Sequence, residues 1–168
     1  MSLSAMIKAM YANQGRSGVL GTNVVRAAAA DPQNVQQTIF TIAGGVVLVT
    51  GLVGVRTVIQ AGGASNIQFR HSVGATVLNV LTAITGDTVG TIYTITGNVN
   101  DNALIGVGGI PVQGGMFGSQ AGVSQQQPGL YFFTGNIQVL MTAAAGTGST
   151  SYILTYVPIS TGATVVAA

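Results

Sequence analysis

Of 168 residues, five are Lys or Arg, three are Asp and none is Glu, so 5% are charged where an ordinary soluble domain has about 25%. The absence of Cys removes disulfides, thiolate metal sites and thiol catalysis. A net charge of +2 with no run of cations argues against binding nucleic acid through phosphate neutralisation. The length suits one domain plus a tail, with a core large enough to fold without staples.

The first 36 residues differ from the rest. They hold Lys8, Arg16 and Arg26 together with the helix-friendly run Ala27 to Ala30, and they read as an N-terminal arm. Leu3, Met6, Ile7, Met10 and Tyr11 recur at helical spacing with Ser2 or Ser4 available as a cap, which predicts a short amphipathic helix over residues 3 to 13. Three turns are marginal in water, so the stripe needs a partner surface: the chain's own body, the same helix in sister subunits, or another protein. Lys8 interrupts any apolar run of a secretory signal. Asn13 to Gly21 reads as an irregular connection, and Asp31-Pro32 marks the approach to a boundary, giving an arm over 1–36 and a domain over 37–168.

From Gln37 onward, short apolar runs are punctuated by Gly, Asn-Asp and Pro, the spacing of an all-β fold, either a β-sandwich or a jelly-roll-like domain. Strands are predicted at Thr38 to Ala43, Val46 to Thr50, Val53 to Gln60, Asn66 to His71, Ala75 to Ala83, Thr91 to Thr96, Ala103 to Val107, Gly129 to Thr134, Asn136 to Thr142 and Ser151 to Pro158. Ile39 to Val55 is uncharged and approaches the length of a membrane-spanning helix. Its Gly content and its β-branched Val, Ile and Thr favour strands instead, with Gly44-Gly45 and Gly51 as turns. Polar and apolar residues alternate only incompletely in the last two strands, which suggests that both faces of several strands are occupied.

Ile84-Thr85-Gly86-Asp87 and Ile95-Thr96-Gly97-Asn98 read as two strand ends with similar turns. Gln113 to Pro128 is a polar, Gly-rich loop with Met116 and Phe117 at its centre, a contact point if it is not folded back onto the body.

Catalytic patterns do not assemble from this inventory. Asp31 falls in the arm, and Asp87 and Asp101 sit beside Gly or Asn where a short carboxylate bonds its own turn. His71 is followed by Ser72, but no G-x-S-x-G elbow supports a triad. One His and no Cys exclude the usual zinc sets, and Asn98 to Asn102 lacks the spaced acids of a calcium loop. The glycines around Gly106 and Gly114 lack the Lys and Ser or Thr of a phosphate cradle. The chain is therefore expected not to be an enzyme and to need no cofactor, metal, membrane or small-molecule substrate.

The closing phrase Tyr156-Val157-Pro158-Ile159-Ser160-Thr161-Gly162-Ala163-Thr164-Val165, together with Tyr93-Thr94-Ile95-Thr96-Gly97 in a charge-poor β domain, resembles small capsid decoration (cement) proteins of tailed bacteriophages. The resemblance spans residues 75 to 168. It implies a structural virion protein, commonly a homotrimer, seated on the outer capsid surface and bound across copies of the major capsid protein. In that reading Leu3, Met6, Ile7, Met10 and Tyr11 anchor the arm, Lys8, Arg16 and Arg26 meet an acidic capsid surface, and the uncharged C-terminal half packs against its sisters. A phage fibre or receptor-binding head and a jelly-roll capsid subunit are the alternatives.

Overall fold

The computed structural model describes residues 21–60, 63–106, 129–142 and 148–168. The expected helix over 3–13, with Leu3, Met6, Ile7, Lys8, Met10 and Tyr11, lies outside the described residues. So do Arg16 and the loop residues Met116 and Phe117.

The described strands are β1 (Thr22–Ala30), β2 (Gln36–Ala43), β3 (Val47–Val58), β4 (Asn66–His71), β5 (Thr76–Val77), β6 (Thr82–Ala83), β7 (Ile92–Thr94), β8 (Leu104–Gly106), β9 (Leu130–Phe132), β10 (Gly135–Met141), β11 (Ser149–Pro158) and β12 (Thr164–Ala167). They form two antiparallel sheets. One runs β1-β11-β3-β7-β8, with β9 also on β3; the other runs β12-β2-β10-β4-β5, with β6 also on β4. The all-β expectation holds, and the helical periods that would compete with it are missing from the described residues, where a single 3-10 turn at Val73–Ala75 is the one helical element.

The alternation of side chains decides which residues form the interior. Val47, Val49 and Leu52 on β3 face Ile67 and Phe69 on β4 and Ile137, Val139 and Met141 on β10 within one buried apolar cluster. Tyr152 on β11 meets the edge of Phe69 with ring centres 6.2 Å apart, joining the two sheets at the centre. Gly54 makes room for that ring, because a Cβ there would lie 3.1 Å from the Tyr152 ring edge.

The uncharged stretch from Ile39 to Val55 is two strands, β2 and β3, joined by a turn at Gly44-Gly45 with φ of 74° and 132°. A side chain on Gly44 would run into the Gly162 carbonyl. No described helix is long and apolar enough to cross a membrane.

Three readings of the sequence are corrected here. Residues 22–30 belong to the sandwich and not to an arm, since β1 pairs with β11 from Thr22↔Tyr156 to Ala30↔Ser149. The Ala run has helix propensity, but pairing to the exposed edge of β11 and a bulge between Arg26 and Ala29 override it. Gly51 does not end a strand: β3 runs through it, and the irregularity shows instead as a register shift between Thr155 and Tyr156 on the partner strand. The run Ala75 to Ala83 breaks into two short strands because Asn79 turns its amide inward to bond the backbone of β4.

Candidate interaction surface

Six charged side chains lie among the described residues, and none of them is exposed. Arg26, Asp31 and Arg56 are buried, and Arg70, Asp87 and Asp101 are half-buried. The exterior of the described body is therefore made mostly of Thr, Ser, Asn, Gln, Gly and apolar side chains, with Arg70, Asp87 and Asp101 only partly shown. Such a surface has little hydration and little mutual repulsion to hold copies apart.

Two of the three buried charges, Asp31 and Arg56, neutralise each other. The Arg56 Nη1 group donates to Asp31 Oδ2 in an ion pair sealed at one end of the sandwich. Asp31 also accepts from Thr150 Oγ1 at 2.8 Å. Arg56 Nε donates to Tyr93 Oη at 3.1 Å, and that hydroxyl donates onward to Asp87 Oδ2 at 2.9 Å. Gln60 accepts from Arg56 and passes the network to Ser65. Burial alone would lower the Arg56 pKa, but Tyr93 and Asp31 outweigh it and the net shift is upward. Burial raises the Tyr93 pKa, with Arg56 opposing, so the phenol stays neutral and able to donate. Asp31, Tyr93, Asp87 and Gln60 are each engaged by a neighbour, with Arg56 Nη2 left without a hydrogen-bond partner, and the arrangement behaves as a structural network. The sequence placed Asp31 in an arm and Asp87 in an isolated turn; the fold brings both around Arg56. The one hint in the sequence was Arg56 itself, a cation in the middle of a strand with apolar neighbours.

Asp101 accepts from Thr96 Oγ1 at 2.8 Å and from Asn98 Nδ2 at 3.1 Å, the turn role expected of it. The Ile84 and Ile95 phrases do end strands in the same way, each with its Ile in the core and its Gly at positive φ. His71 packs edge-on to Phe132, with ring centres 5.4 Å apart, and burial lowers its pKa. Its neighbour Ser72 accepts from the Asn136 amide at 2.8 Å. Beside His71 an apolar cleft of about 320 Å³ is walled by Val73, Leu78, Val99, Tyr131 and Phe133. Among the described residues no group of three or more His, Asp or Glu could hold a metal ion.

Arg26 is the one expected contact residue that is described. It sits on β1 with its Nε donating to the Ala168 carbonyl at 2.9 Å and its guanidinium 5.8 Å from the Tyr152 ring centre. Its charge is turned into the fold, so it is not presented to an acidic partner surface.

The two sheets differ in what they show to the outside. On the β2-β10-β4 sheet the outward residues are mostly polar, with Leu140 and Val166 among them: Thr41 bonds Asn136, and Gln138 lies beside Thr38 and Arg70. The β1-β11-β3 sheet has one polar outward row, Asn23, Thr155 and Gly51, in which Thr155 Oγ1 donates to Asn23 Oδ1 at 2.7 Å, and three mainly apolar ones. One row is Val25, Ile153 and Val53; a second is Val157, Leu48 and Tyr131; a third includes Val55 and Ile92. Val25 is 62% exposed and Tyr131 58%, and the others are half-buried. Directly paired residues share a face, and the polar row lies between the Val25-Ile153-Val53 row and the Val157-Leu48-Tyr131 row.

Comparison with protein-family models, with curated proteins and with solved structures finds no match.

Proposed function

We propose that the chain is a structural assembly protein, and specifically a decoration protein that sits on the outer surface of a phage capsid and braces it against the pressure of packaged DNA. One observation carries the reading: none of the six described charged side chains is exposed. A body so poor in surface charge suits a life covered by neighbours better than free solution. The mechanism is mechanical. A protein that touches several capsomers adds contact free energy that must be lost before they separate, and an arm and a body on one chain raise each other's effective concentration at the shell. Its partners in this reading are the major capsid protein and sister copies, grouped in threes as the resemblance implies. No step of it needs catalysis or a cofactor.

The test is occupancy of particles. Intact capsids mixed with the full chain and imaged should show added density on the outer surface, and a chain lacking residues 1–20 should lose it while keeping β1 and a folded body. Full-length chain that leaves capsids bare, or that binds equally well without residues 1–20, overturns the capsid reading or the arm's part in it, respectively. The fibre or receptor-head alternative has the aromatic cleft beside His71 in its favour, but the lining of that cleft contains no acid to pair with sugar hydroxyls.

A further inference from the structure

β1 is long but adds little to the interior. None of its nine residues belongs to the buried apolar cluster, and Val24 only packs against that cluster's margin. What holds the strand is its pairing to β11 from Thr22↔Tyr156 to Ala30↔Ser149, Arg26 bonded to Ala168 and lying over Tyr152, and a bond from Ser149 Oγ to the Ala29 carbonyl. We infer that β1 is an exchangeable strand, and that the outer edge of β11 is a strand-acceptor site filled by β1 of a second copy of the chain. This goes beyond the capsid reading and does not rest on it.

Three observations lead to exchange between copies. The connection from β1 to β2 is short and held at both ends: the Asp31 amide donates to the Gly148 carbonyl at 3.0 Å beside β11, and the Asn34 amide to the Met141 carbonyl at 2.9 Å on β10 of the other sheet. The three Cα steps between them span at most about 11 Å, close to the roughly 10 Å that separates stacked sheets, so the closed crossing is nearly taut. Within it Asn34 sits at φ 54°, a left-handed conformation that Asn tolerates better than most L-residues but that an extended hinge releases. A short hinge under strain favours the arrangement in which it runs straight on into a neighbour. Next, the contacts of β1 are reproduced unchanged when the same strand arrives from a second copy, because Asp31 travels with it and meets the Arg56 and Thr150 of its host. Finally, β1 differs from β12, the strand at the edge of the other sheet. β12 is fastened by Val165 in the core, whereas the one buried side chain of β1 is Arg26, held by bonds that a host of the same sequence supplies equally well.

Because the chain has no Cys, introduced thiols report whose strand lies on β11. Asn23 and Thr155 stand opposite each other in register, with their side chains bonded at 2.7 Å, and directly paired Cα atoms lie within disulfide reach. Full-length Asn23→Cys and full-length Thr155→Cys, refolded together from urea and oxidised, should give a disulfide-linked species of twice the 16.8 kDa chain mass that contains one of each. Gln138→Cys, on the other sheet, should form no such link with Thr155→Cys. Lengthening the hinge by about five Gly or Ser residues after Gln33 should lower the yield several-fold, since β1 then folds back within its own chain. An unlinked mixture, while the double variant Asn23→Cys with Thr155→Cys closes within single chains of unchanged mass, overturns the inference. So does a link that Gln138→Cys forms equally well, which marks random collision, and so does a yield unmoved by the longer hinge. The pair Val25→Cys and Ile153→Cys, also in register, decides if either of the first two variants fails to fold. Capsids decorated by a chain whose β1 is always its own would sink the exchange and leave the decoration reading intact; bare capsids with the mixed disulfide present would do the reverse.

Discussion

Asp31 and Arg56 meet in an ion pair whose side chains are 4% and 0% exposed, one at the end of β1 and the other on β3. The pair links the edge of a sheet to its centre across β11, with Thr150 of β11 bonded to the same carboxylate. Burying two charges is costly, and their attraction offsets that cost only while both are present and fully bonded.

Removing one partner should therefore be severe. Asp31→Leu and Arg56→Met are each expected to destabilise the fold by about 3–5 kcal/mol, because each leaves a buried charge uncompensated. The double variant Asp31→Leu with Arg56→Met should recover much of that loss. Urea denaturation of the two single variants and the double variant measures the coupling, and simple additivity would contradict the buried-pair account.

Gly148 is placed where any side chain collides with this network, since a Cβ there would overlap Arg56 Nη1, Asp31 Oδ2 and Gln60 Oε1. Gly148→Ala should cost about 1–3 kcal/mol, the range for overpacking a filled interior. Thermal unfolding should then fall by several degrees, on the basis of about 2–4 °C per kcal/mol for a chain of this size. An unchanged midpoint would show that the cluster can move aside.

Asn79 is a buried amide that replaces strand pairing with side-chain bonds. Its Oδ1 accepts the Phe69 amide at 2.7 Å and its Nδ2 donates to the Val80 carbonyl at 2.6 Å. Asn79→Ala leaves the Phe69 N–H unsatisfied and should destabilise by about 1–3 kcal/mol. Amide hydrogen exchange should show lost protection at Phe69, while the distant Tyr156 pairing on β11 should be unaffected.

His71 supplies a pH dependence. Burial lowers its pKa below the ordinary 6.5, so the unfolded chain binds the proton more readily than the folded one. Stability should be level above about pH 6.5 and should fall as the pH drops through and below that value. His71→Phe, which keeps the ring against Phe132, should flatten the decline between pH 7.5 and 5.5. A wild-type denaturation midpoint that stays constant over that range would contradict the shift.

Much of the sandwich was legible in the sequence where a strand has a half-buried face. Asn66 to His71 was read with the bounds the structure gives it, because Ile67, Phe69 and His71 alternate with polar residues that face outward. The incomplete alternation in β11 was legible as well, and the outward Ile153 and Val157 account for it. β1 was missed because its Ala-rich half carries a helical signal and its pairing partner lies more than a hundred residues away in sequence, at Tyr156. β12 was missed because four residues are too few to show a period. The buried polar network escaped for a similar reason. Asp31, Arg56 and Asp87 come together only through the packing of β1, β3 and the turn before β7, and no local spacing encodes that.

The path of the chain between the sheets has a consequence for synthesis. β1, β3 and β11 belong to one sheet while β2, β4 and β10 belong to the other, so the thread crosses the sandwich again and again. The central strand β3 lies against β11 along most of its length, and among the described strands β1 pairs with β11 alone. Until the ribosome has released residues 149–158, β1 lacks its described partner and β3 its principal one. Folding of this kind is completed late and through distant contacts, so the apolar inner side of the nascent sheet remains unshielded until then.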